Sequence, residues 1–197
     1  MIKMKKRLAN LISAVLNPFL VSLVVIVLVS FGSTFSAAEA IKWALILITL
    51  SILPVFSVIF YLVRRRKLTA ILIITREQRT RIYILAVFLG IIGSILLQIW
   101  GAPAMLAAIF AAGMAAMVIF FSINLFWKIS VHSAFVTAFI TILMILYGSI
   151  GALAALLLPL IVWARVELKH HSLAQAIAGV ILAALIVLVV FYLFGLI

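Results

Sequence analysis

Apolar runs of bilayer length, cut by a few dense polar islands, constrain this chain more than any other feature. Residues 8–31, 41–63, 82–100, 104–121 and 176–196 are almost free of charge. Each approaches or exceeds the roughly 20 residues that cross a hydrocarbon core. With 70% hydrophobic residues, 9% charged residues and a mean hydropathy of +1.53, the 197-residue chain cannot hide that surface inside a water-soluble domain. Backbone in lipid must bond within its own segment, which predicts helices. The short alternating strands of a membrane barrel are absent from the sequence. The expected fold is therefore all-α: one polytopic integral membrane helical bundle covering residues 1–197.

Punctuation divides the bundle further. Asn17-Pro18 interrupts the first run, and Pro54 lies within the second, where neighbouring helices satisfy the carbonyl it frees. Ser36-Ala37-Ala38 has the small residues of a leader cleavage site, but the length of the run before it favours a retained helix. Residues 68–74 are apolar but too short to span, and read as a surface segment. Gly101-Ala-Pro103 predicts a tight turn. Ala111, Gly113 and Ala115 read as close helix packing. Residues 133–163 would make a helix of about 46 Å at 1.5 Å per residue, too long for a bilayer. A split at 148–151, Gly-Ser-Ile-Gly, gives two short spans instead. About seven transmembrane helices result.

Seven spans place every polar island on one face. Of the 15 Lys and Arg, only Lys42 falls near the opposite side. The excess of cations marks the island face as cytoplasmic in a cell membrane. A net charge of +12 in such a chain points to lipid headgroups or an anionic substrate, and not to nucleic acid. With no cysteine, no aspartate and three glutamates, thiolate chemistry and aspartate-rich metal sites are excluded, so neither a metal nor another cofactor is expected.

The islands hold the chemistry. Residues 75–81 carry Arg76, Arg79 and Arg81; residues 124–132 carry Lys128, Ser130 and His132; residues 165–175 carry Arg165, Glu167, His170, His171 and Gln175. Arginine matches phosphate oxygens with a planar fork. Histidine attacks phosphorus or moves protons near neutral pH. A phosphoryl transition state spreads charge that clustered cations stabilise. His170 reads as a neighbour of the reacting groups, and Arg64 to Lys67 as a topological anchor.

Two of these stretches resemble a known family. Lys128-Ile-Ser130-Val-His132-Ser and Arg165-x5-His171 are similar to the second and third motifs of the type-2 phosphatidic acid phosphatase family. The wording Trp127-Lys128-Ile-Ser-Val-His and the ending His171-Ser-x-x-Gln175 resemble one prokaryotic subgroup of it. The resemblance covers residues 75–197, leaving residues 1–74 as N-terminal helices and a basic loop, with one helix beyond the family's six. It implies that His171 forms a phosphohistidine and His132 protonates the leaving oxygen. It further implies that Arg165 clamps phosphate, Ser130 donates to it, and Arg79 and Arg76 contribute charge; Lys128, read from its place in the island alone, is equally a phosphate contact or a cation snorkelling to the interface. The chain departs from the family's pattern at Ala164 (usually Ser), Val131 (usually Gly), Gln175 (usually Asp) and Thr80 (usually Pro). Gln175 accepts a hydrogen bond but adds no charge. Glu167, four residues before His171, is the alternative orienting group if helical geometry extends that far.

The implied activity is a metal-independent phosphatase or diphosphatase acting on a lipid phosphate or isoprenoid diphosphate, with the bilayer as its partner. The alternative is a catalytically degenerate relative that binds anionic headgroups or scaffolds other proteins. A small transporter is a third possibility, but paired broken helices in matching halves are not seen in the sequence.

Overall fold

A computed structural model describes residues 2–65 and 76–197, with the side chains of Ile2, Arg76, Glu77, Gln78, Arg79 and Arg81 outside the described set. All regular structure among the described residues is helical. The order is α1 (Ile2–Val15), α2 (Pro18–Ser33), α3 (Ala37–Leu47), a π-helical turn (Ile48–Ile52), α4 (Leu53–Arg64), α5 (Arg76–Ile99) and α6 (Ala104–Asn124). Then come α7 (Val131–Tyr147), a short α8 (Ser149–Ala152), a 3-10 turn (Leu153–Leu156), α9 (Leu157–Glu167) and α10 (Leu173–Leu193). The expected surface segment at 68–74 lies outside the described residues.

Among the described residues, five helical segments are long and apolar enough to cross a membrane: Ala37–Arg64, Ile82–Ile99, Ala104–Asn124, Ser149–Glu167 and Leu173–Leu193. The pair α1–α2, bent by 41°, makes a sixth if it counts as one span. Val131–Tyr147, at 17 residues, is the short seventh segment. An all-α polytopic membrane bundle is the architecture.

Local chemistry explains the breaks. Asn17 caps both ends of the first: its side chain donates to the Ala14 carbonyl at 2.5 Å and accepts from the Phe19 and Leu20 N–H groups. Ser36 is the N-cap of α3, accepting from the Glu39 N–H at 3.2 Å, so the Ser36-Ala-Ala stretch has a structural use as a helix start. The span containing Pro54 stays continuous because a π turn precedes it, with the Leu53 N–H reaching back to the Ile48 carbonyl. At Gly148, φ is +57°, a conformation other residues rarely adopt, and α7 ends there as the glycine predicts. Gly151 then lets α8 fold back tightly, since a Cβ there would lie 2.1 Å from the Leu143 carbonyl oxygen.

Helix α7 packs against α2, α9 and α10, while α6 packs against α5 and α10. Phe120, Phe191, Leu47, Leu97 and Leu106 form the most enclosed part of the core. In lipid the gain comes from close van der Waals fit, because hydrocarbon tails are as apolar as leucine. Ala115 packs against the core as expected, but the glycines at close contacts are other than Gly113. Gly90 and Gly93 of α5 meet Met114 and Phe110 of α6. Gly113 is exposed, with open space where its Cβ would stand.

Candidate functional site at the polar end of the bundle

Ser130 is the N-cap of α7 and is fully buried. Its Oγ accepts from the Ser133 N–H at 3.4 Å and lies 3.0 Å from the Ser133 Oγ. The Ser130 N–H donates to the Gln175 carbonyl at 3.2 Å, tying the start of α7 to the start of α10. The two segments meet there because residue 179 is glycine: a Cβ on Gly179 would lie 2.7 Å from the Ser130 carbonyl oxygen. His132 follows in the first turn of α7, 6% exposed, where the positive end of the helix dipole favours an anion.

Arg165 lies in the last turn of α9 and is 2% exposed. Its carbonyl accepts from both the His170 and His171 N–H groups, at 3.2 and 3.3 Å. Lys169, at φ +55°, makes the reversal that allows this. The turn folds His171 back over the end of α9. The Lys128 ammonium donates to the His170 carbonyl at 3.0 Å, so one of its three donors straps this turn to the loop before α7. His170 serves the turn through its own N–H and carbonyl.

His171 is buried, and its Nδ1 lies 3.3 Å from the Gln175 Oε1. The same oxygen accepts from the Ser172 N–H at 3.1 Å, while the Ser172 Oγ accepts from the Gln175 N–H at 3.2 Å. This capping box fixes which way the amide points, since a backbone N–H needs the oxygen facing it. An amide oxygen only accepts, so the geometry puts a proton on Nδ1; in the neutral imidazole the lone pair is then on Nε2. His171 and Gln175 do not share a helix, however. His171 precedes the N-cap of α10, and the amide held in the capping box makes the contact. Glu167 is the last residue of α9, so the helical register that would bring it beneath His171 is absent.

Arg76 and Arg79 belong to the first turns of α5, and their side chains lie outside the described residues. The Asn124 side-chain amide donates to the Thr80 Oγ1 at 3.3 Å and joins the end of α6 to the start of α5. With the Ser130–Gln175 and Lys128–His170 bonds, all three polar islands meet at one end of the bundle.

One site residue escaped the sequence reading. The Arg165 Nη1 donates to the Ser13 Oγ at 2.7 Å, and both side chains are buried. The available signal was the pair of small residues Ala9 and Ser13, four apart on one face of α1.

A cavity of about 320 Å³ opens among α2, α4, α5, α6, α7 and α10, with Phe19, Ile59, Met114, Phe120 and Phe135 in its apolar wall. Of the predicted site residues, His132 lines it, and the open space beside Gly113 belongs to it. Comparison of the chain with protein-family models, curated proteins and solved structures found no match.

Proposed function

We propose that this protein is a membrane-embedded, metal-independent phosphatase or diphosphatase of a lipid phosphate or isoprenoid diphosphate, working from the cytoplasmic face through a phosphohistidine. The observation that carries the reading is the arrangement of His171: buried, tied through Nδ1 to Gln175, and on the turn that Arg165 closes. A proton on Nδ1 leaves Nε2 to attack phosphorus. The P–N bond forms as the bond to the leaving oxygen breaks, and His132 gives that oxygen its proton. Arg165 neutralises charge on the equatorial oxygens, with Ser130 as a further donor. Water then attacks the phosphohistidine, His132 taking its proton, and inorganic phosphate leaves. The apolar cavity beside His132 supports a substrate with a hydrocarbon portion.

The test is phosphate release by purified protein in detergent with EDTA, offering a polyprenyl diphosphate, a phosphatidate and a phosphatidylglycerophosphate. Release that His171→Ala abolishes is expected. Full release by that variant overturns the mechanism. The neutral Gln175 favours one second reading, a degenerate relative that binds the headgroup without turnover. It predicts saturable binding of the same lipids and no phosphate from any of them.

A further inference from the structure

Helix α1 shows three stripes along its length. Ala9 and Ser13 are buried against the bundle, flanked by the half-buried Ile12 and Leu16. Lys3, Lys6, Arg7 and Asn10 form a second stripe, exposed. Met4, Leu8, Leu11 and Val15 form a third, at 70, 51, 60 and 56% exposure. An apolar stripe left uncovered beside a basic one is the pattern of a helix at a bilayer interface.

Its C-terminal half is tied to the bundle. Ser13 bonds the buried Arg165, α1 packs along α9, and Asn17 locks the elbow to α2. Residues 3–7 lie six to ten positions before Ser13, about 9–15 Å further along the helix at 1.5 Å per residue. That step leads along α1 away from the Ser13–Arg165 contact, to cations that are exposed.

We infer that α1 is a docking helix for anionic lipid headgroups, its basic stripe on their phosphates and its apolar stripe in the adjoining acyl boundary. The occupant follows from charge. Four cations stand within residues 3–7, and the first acidic residue is Glu39. A second copy of the same surface would meet it with like charge, whereas each Lys or Arg near an anionic leaflet gains about 1 kcal/mol. The site is separate from the phosphate site, and the inference does not depend on turnover.

The chain has no cysteine, so Leu8→Cys carries a unique spin label on the full-length protein in nanodiscs. Discs of phosphatidylcholine alone are compared with discs that also hold phosphatidylglycerol. The label should be at least about fivefold less accessible to an aqueous relaxation agent in the anionic discs. Replacing Lys3, Lys5, Lys6 and Arg7 by Gln should remove that difference. Should the fourfold variant fold poorly, salt serves instead: raising it should restore accessibility in anionic discs. Equal accessibility in both lipids, or protection indifferent to both salt and charge removal, overturns the inference. Dipolar broadening between labels on two chains, in either lipid, overturns it in favour of self-association.

Discussion

The Nδ1 of His171 faces the Oε1 of Gln175 at 3.3 Å, across a capping box that holds the amide by its other bond. The orientation of His171, the proposed nucleophile, is thus built into the start of α10. Gln175→Glu keeps the length and the capping bond while adding a negative charge beside the imidazole. We expect turnover to rise about tenfold, and Gln175→Leu to lower it by a similar factor. Steady-state phosphate release checks both.

Ser13→Ala leaves the Arg165 guanidinium without its buried hydroxyl partner. Hydrogen bonds to charged groups are worth about 1.5–3 kcal/mol, so a lower unfolding temperature is expected. On its proposed role, a guanidinium that has lost this bond clamps phosphate less well, and KM should rise about tenfold with kcat little changed. Ser13→Thr, which keeps the hydroxyl, should recover most of the loss.

Gly179→Ala tests the seam between α7 and α10. The new Cβ would stand 2.7 Å from the Ser130 carbonyl oxygen, and backbone there cannot swing aside as a side-chain tip can. Overpacking of this kind costs about 1–3 kcal/mol. A lower melting temperature in detergent and reduced phosphate release are both expected, because the displaced residue is the N-cap that positions His132.

Gly113→Phe projects a ring into the open space of the cavity that His132 lines. Long-chain substrates should then suffer a KM increase of about tenfold or more, while a short water-soluble phosphate ester keeps its rate. Equal loss on both substrates would show that the cavity does not hold the chain.

Much of the bundle was legible because bilayer crossing is a one-dimensional constraint. Run length, Asn17-Pro18 and Gly148 locate helices and breaks without any long-range contact. The polar islands that carry Ser130, His132, Arg165, His171 and Gln175 were equally visible, since polar residues inside an apolar chain stand out. The expected Glu167 alternative failed on a detail that spacing hides: α9 ends at Glu167, and Lys169 turns left-handed before His171. Gly113 was misassigned to packing because a small residue reads the same whether a neighbour or a cavity lies opposite.

Sequence alone determined that the chain is a helical membrane bundle and that its polar residues collect at one end, because the cost of charge in hydrocarbon leaves few other places for them. Tertiary structure decided which polar groups meet. Helices that are apolar all round carry no periodic signal for which face turns inward, so rotation and crossing follow from the packing of specific side chains. That packing brings Ser13 to Arg165 across 152 positions, Lys128 to the His170 carbonyl, and the Ser130 N–H to Gln175.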